Sequence, residues 1–190
     1  VQFLTYQVED QHIKGAKMKN VGVIGLGDMG SGIALNLIKN GFKVFGSDLL
    51  PARQEAFKKM GGSLETSIAT LGKKCDAVFV MVMNGDQAKS IIFDKDGLAK
   101  NMSLGSTVIL SATIKPSEAE EIGQSIKDTG VKFIDTPVSG GFPGAQSGSL
   151  TLMASATKDV MDENRDILEA IASNIHHVGT EPGKGQTVKA

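Results

Sequence analysis

From residue 20 onward the chain alternates short apolar runs with helix-length amphipathic stretches, and few folds accommodate that rhythm. The runs are residues 21–24, 43–45, 77–82, 107–110 and 131–134. Strands this apolar are buried on both faces, as in a parallel sheet whose crossovers are helices. Helices are expected around residues 31–40, 51–60, 86–93 and 116–127. Two of them open with proline in the first turn, and Gly41 and Gly130 fall where helices stop. The order predicts an α/β fold with a Rossmann-type, doubly wound, mostly parallel sheet. Past Asp135 the rhythm changes to a glycine-rich loop, a strand at residues 150–153 and a charged helical stretch at residues 158–172.

A chain of 190 residues suits one such domain with an appendage. Residues 1–17 are aperiodic and read as a leader or linker; the nucleotide-binding domain is expected over residues 18–182. Lys plus Arg total 20 and Asp plus Glu 21, a balance that lacks the electrostatic footprint of a nucleic-acid or anionic-membrane binder. No apolar run approaches the ~18 residues of a membrane span. The first residues lack the charged-then-apolar order of a signal peptide. The single Cys75 has no partner for an intramolecular disulfide and no CxxC or Cys/His spacing. A cytoplasmic protein acting on small ligands is the expectation.

Val23-Ile24-Gly25-Leu26-Gly27-Asp28-Met29-Gly30 sets GxGxxG between an expected strand and an expected helix. In that context Gly25 permits the tight turn and Gly27 admits a pyrophosphate to the backbone. Gly30 lets helix and strand pack closely, with the phosphates at the positive end of the helix. Asp48 closes the second strand about 20 residues later, where a carboxylate accepts the ribose hydroxyls of NAD and repels the additional phosphate of NADP. The pattern predicts NAD, in preference to NADP. Arg53 could pair with a 2′-phosphate, but its place in a helix points to a solvated face.

Asp135-Thr136-Pro137-Val138-Ser139-Gly140-Gly141 follows a strand, at the edge that faces the ligand crevice in open α/β sheets. There Ser139 and the amides of Gly140 and Gly141 can cradle a carboxylate, though a plain polar turn reads the same way. Near the end, Gly183-Lys184-Gly185-Gln186-Thr187-Val188-Lys189 is a second glycine-rich helix entry, with Lys189 about one and a half turns in. A lysine partly desolvated beside a cationic ring can serve as the base that alcohol oxidation needs, whereas a lysine in that position alone is usually solvated. His176 and His177 are neighbours that face opposite ways in a strand, and with His12 in the leader they indicate no metal site. No catalytic His or Tyr–Lys pair stands at a strand end, since the only tyrosine is Tyr6.

These three motifs, in this order, resemble the β-hydroxyacid dehydrogenases, a family that includes 3-hydroxyisobutyrate dehydrogenase and tartronate semialdehyde reductase; the resemblance covers nearly all of residues 18–190. Gly179-Thr180-Glu181-Pro182-Gly183 and Leu152-Met153-Ala154-Ser155 look most like the L-threonate dehydrogenase branch, which would favour a four-carbon sugar acid. The resemblance implies NAD-dependent oxidation of the CH–OH group of a small hydroxy acid. Ser139, Gly140 and Gly141 would hold the substrate carboxylate, and Lys189 would act as general acid–base. Gly25, Leu26, Gly27, Asp28, Met29, Gly30 and Asp48 would bind the cofactor, with Met83 and Thr113 beside its nicotinamide end. It also implies that residues 183–190 begin an interdomain helix. The family's C-terminal all-helical domain, which completes the site and builds a homodimer or homotetramer, would lie outside this chain, leaving it able to bind NAD but turning over poorly. The alternative is a non-catalytic NAD(P)-binding interaction module; some chromatin-associated relatives keep the fold and lose the lysine, which is present here.

Overall fold

The computed structural model describes residues 18–190; the leader, with Tyr6 and His12, lies outside the described residues. In chain order the elements are β1 (Asn20–Ile24), α1 (Asp28–Lys39), β2 (Lys43–Ser47), α2 (Pro51–Lys59), β3 (Ser63–Leu64), α3 (Ile68–Lys74), β4 (Ala77–Val80), α4 (Gly85–Phe93), α5 (Leu98–Asn101) and β5 (Thr107–Leu110). They continue with α6 (Pro116–Lys127), β6 (Lys132–Asp135), β7 (Val138–Ser139), α7 (Gly141–Ser147), β8 (Leu150–Ser155), α8 (Lys158–Glu163), α9 (Arg165–Ile171), β9 (Ala172–Gly179) and α10 (Lys184–Lys189).

The strand order β3-β2-β1-β4-β5-β6 is parallel throughout, which is the dinucleotide-binding arrangement with its switch point between β1 and β4. Beyond β6 the sheet reverses. β8 runs antiparallel to β6 and β7, and β9 lies parallel to β8.

Side chains alternate between two cores, one on each face. Val21, Val23, Ala77, Phe79 and Ile109 join the core covered by α1, α2, α7 and α9, which contribute Ile33, Phe57, Ala145 and Leu168. Ile24, Val78, Val80, Val108 and Leu110 join the other core, under α3 to α6, with Leu71, Ile92, Leu98 and Ile122. Period-two alternation into two cores is why these strands read as continuous apolar runs.

Three expectations are corrected. The helical stretch at residues 158–172 is two helices. It breaks at Asn164, whose buried amide turns inward to donate to Thr107 Oγ1 (3.1 Å) and Val160 O (2.9 Å), and from Ala172 the chain is already strand. The strand expected at residues 77–82 ends at Val80, with Met81 N still donating to Ile24 O (2.9 Å). The first helix starts at Asp28, so the glycine loop is shorter and the last motif glycine already lies within α1. The short elements β3, α3, α5, β7 and α7 carry too few residues to show a period. No helix among the described residues is long and apolar enough to cross a membrane.

Candidate functional site

The carboxyl ends of β1, β2, β4, β5 and β6 line one edge of the sheet; Gly25 to Gly30, Asp48, Met83 and Thr113 follow these strands, whereas Ser139 lies in β7, before α7, and Lys189 ends α10. Gly25 leaves β1 at φ +91°, and a Cβ there would stand 1.9 Å from Met81 O. A Cβ on Gly30 would stand 1.7 Å from Gly25 O. Both glycines are therefore required by the protein's own backbone. Gly27 is different: its φ is −70°, and a Cβ would meet nothing nearer than an Arg53 guanidinium nitrogen at 3.4 Å. The protein alone does not demand glycine there, whereas a phosphate approaching the backbone would. No side chain caps α1, so the first-turn N–H groups at Asp28, Met29 and Gly30 remain available to an anion.

Asp48 is tied into this loop. Its Oδ2 accepts from Leu26 N (2.8 Å), its Oδ1 from Leu50 N (2.9 Å), and its side chain is only 6% exposed. The carboxylate is thus held at the end of β2 with acceptor capacity left on Oδ1 for a hydroxyl donor. Arg53 is half-exposed, on the solvated face its helical position suggested, and also reaches back toward the loop. Its Nη1 lies 3.5 Å from Asp48 Oδ2 and its guanidinium lies against Gly27.

Met83 follows β4 with its side chain 85% exposed, while its N–H donates to Gln87 Oε1 (2.9 Å). Thr113 follows β5 and is also exposed. On its side of the edge, Ser139, Gly140 and Gly141 are all exposed. Gly140 and Gly141 take φ +131° and +58°, a backbone that a side chain would strain. This loop opens α7, which is pinned to α1: Asn36 Nδ2 donates to Ala145 O (2.7 Å) and Gln146 O (3.0 Å).

Lys189 ends α10, partly buried. The helix is anchored by residues that the sequence reading passed over. Asp135, fully buried at the end of β6, accepts from Gly183 N (3.0 Å) and Gln186 N (3.4 Å) through Oδ2, and from Gln186 Nε2 (2.9 Å) through Oδ1. Burial pushes the Asp135 carboxyl above its ordinary value, opposed by the hydrogen bonds from Gln186, Gly183 and Gly185. Gln186 in turn donates to Ala112 O (3.0 Å) and accepts from Ile114 N (3.0 Å). A carboxylate ending an apolar strand was the available signal for Asp135; nothing local marks Gln186.

Residues 20–179 match the family described as the NAD-binding domain of 6-phosphogluconate dehydrogenase. Among curated relatives, the L-threonate dehydrogenase of Cupriavidus necator is 40% identical over 171 residues, covering 90% of this chain and 58% of the relative. The mitochondrial 3-hydroxyisobutyrate dehydrogenase of Mus musculus is 35% identical over 169 residues, covering 89% of this chain and 50% of the relative. A solved 3-hydroxyisobutyrate dehydrogenase from Salmonella typhimurium superposes with a TM-score of 0.85 at 34% identity, covering 90% of this chain and 60% of that one. The chain therefore spans between half and three-fifths of the length of these proteins. With its parallel sheet, its glycine loop and Asp48 closing β2, the chain belongs to the NAD-binding-domain family of 6-phosphogluconate dehydrogenase, among relatives of the β-hydroxyacid dehydrogenase type.

Proposed function

We propose that this chain forms the cofactor domain of an NAD-dependent dehydrogenase that oxidises the hydroxyl group of a small hydroxy acid, with a four-carbon sugar acid such as L-threonate as the favoured substrate. We read residues 18–182 as that domain, residues 1–17 as a leader or linker, and residues 183–190 as the start of a helix leading to a second domain. The observation that carries the functional reading is the shared edge: Asp135 at the end of β6 holds the entry to the Lys189 helix, as Asp48 after β2 holds the glycine loop, on the same side of one parallel sheet.

In this reading Asp48 receives the ribose hydroxyls and the Leu26-to-Gly30 amides receive the pyrophosphate, with Met83 and Thr113 flanking the nicotinamide end. NAD, when bound, supplies the hydride acceptor. Ser139 Oγ and the Gly140 and Gly141 amides hold the substrate carboxylate and so fix the carbinol carbon's orientation. Lys189, as the neutral amine, takes the hydroxyl proton while the carbinol C–H bond yields its hydride, leaving a carbonyl and an ammonium.

The test is reduction of NAD and NADP by the protein at its natural full length with L-threonate, 3-hydroxyisobutyrate, D-glycerate and L-serine, repeated for Lys189→Ala. NAD-linked activity on an acid that disappears in Lys189→Ala, with NAD affinity kept, is the expected result. A fully active Lys189→Ala sinks the acid–base assignment. NAD binding without turnover of any hydroxy acid transfers the weight to a non-catalytic module.

A further inference from the structure

We propose that Gln186, held by Asp135, is a positioning residue that sets where Lys189 stands relative to the Thr113 loop; this rests on the reading of Lys189 as the acid–base group. Gln186 is 1% exposed, and its amide bridges three elements at once. It grips the chain on both sides of Thr113, donating to Ala112 O (3.0 Å) and accepting from Ile114 N (3.0 Å), and its other N–H goes to Asp135 Oδ1 (2.9 Å). Both donors and the acceptor are satisfied, so the side chain has one orientation available.

α10 has little of its own to fix it. It spans six residues, its N-cap is Gly183 with no side-chain cap, and so short a helix is marginal without tertiary support. Asp135 Oδ2 takes the N–H groups of Gly183 and Gln186, which sets the helix's position along its axis. Gly185 lets it press against the sheet: a Cβ there would stand 2.4 Å from Met153 O and 2.9 Å from Asp135 O. Gln186 fixes the remaining freedom, rotation about the axis. Three residues on, Lys189 lies on nearly the same face, so locking the Gln186 side chain locks the direction in which Lys189 leaves the helix.

A packed leucine would fill the Gln186 site without burying a polar group. Choosing an amide that needs three partners gives one register between α10, β6 and the β5–α6 loop rather than additional stability. Misplacing a reacting group by about 1 Å can cost on the order of 100-fold in rate.

The experiment measures kcat, KM for the hydroxy acid and NAD affinity in the full-length protein. Gln186→Leu is expected to lower kcat by about 10- to 100-fold. NAD affinity should fall far less than kcat, because the glycine loop and Asp48 lie at β1 and β2, outside this network, and only the nicotinamide end at Thr113 adjoins it. KM should change far less than kcat.

Gln186→Glu removes the donors to Ala112 O and Asp135 and should fall similarly. Adding Asp135→Asn to it reverses the polarity of the broken bond, with the new amide donating to the new carboxylate, and should recover several-fold in kcat over Gln186→Glu alone. These two variants also decide the matter if Gln186→Leu fails to fold. A Gln186→Leu or Gln186→Glu protein that turns over at the wild-type rate overturns the proposal, as does one that loses NAD affinity in parallel with kcat. If Lys189→Ala is dead while Gln186→Leu is fully active, only the positioning role falls; if Lys189→Ala is active, the acid–base reading itself has failed.

Discussion

At the β1–β2 end of the sheet, the glycine loop is shaped by its own backbone, with Gly25 and Gly30 forced by carbonyl oxygens less than 2 Å from where a Cβ would sit. At the β6–β8 end, the loops are shaped by side-chain amides reaching far along the chain: Asn36 to Ala145 and Gln146, Gln186 to Ala112, Ile114 and Asp135. At the first kind of site, backbone oxygens leave Gly25 and Gly30 no room for a side chain. The second is assembled only when the whole sheet has formed, and its parts can be loosened one at a time. Cofactor binding in this fold is thus tied to local backbone geometry, while the proposed substrate clamp and base depend on tertiary hydrogen bonds.

The largest expected effect separates two glycines of one motif. Gly30→Ala drives a methyl into Gly25 O and should cost about 3 kcal/mol, read as an earlier midpoint in urea. Gly27→Ala has room within the protein and should cost about 1 kcal/mol or less, mainly through the poorer N-cap, yet weaken NAD by at least about tenfold. Equal losses of stability for the two would mean that Gly27 serves the fold and not a ligand.

Next in size is Asn36→Ala, which strips the carbonyls of Ala145 and Gln146 of their buried donor and should cost about 2 kcal/mol. Because Asn36 holds the C-terminal turn of α7, the Ser139–Gly141 loop at its other end should loosen. The expected kinetic signature is a several-fold rise in KM for the hydroxy acid with NAD affinity unchanged. A change in NAD affinity equal to that in KM would erase the distinction between the two halves.

The same contrast explains what was legible in the sequence. The parallel sheet, the glycine loop and Asp48 could be read because each is signalled by neighbours: apolar runs, spacing and a strand end. Gly27 was assigned to a ligand from the motif, and the absence of any clash for a Cβ there is the independent support for that assignment. Asn36 and Gln186 were invisible, since a polar residue in an amphipathic pattern looks solvated until its partner, 51 to 110 residues away, is known; Asp135 was signalled by its place at a strand end, but not its partners. The break at Asn164 was missed for the same reason, as Thr107 lies 57 residues off. Arg53 was read as a surface residue and is one, but nothing local signalled its approach to Asp48.

The smallest expected effect near neutral pH comes from Cys75, beneath the cofactor half, where its thiol packs under Gly22 beside Leu71. Burial, with Asp76 and Glu65 adding to it, pushes this thiol from 9.0 to about 12. A folded-state value raised above the unfolded one means a contribution fully present below pH 9.0 and lost as the pH climbs toward about 12. In that window the unfolded chain carries a thiolate that the folded chain does not, so this group alone steepens the loss of stability by up to about 1.4 kcal/mol per pH unit. Other groups titrate there as well, so the informative quantity is the difference between wild type and Cys75→Ala in urea unfolding at a series of pH values. That difference should be constant up to about pH 9 and then shift in favour of Cys75→Ala as the pH rises. A difference that stays flat to pH 12 would mean the thiol ionises as readily in the folded chain, and that the sheet under the glycine loop is not the dry, rigid platform on which the cofactor half depends.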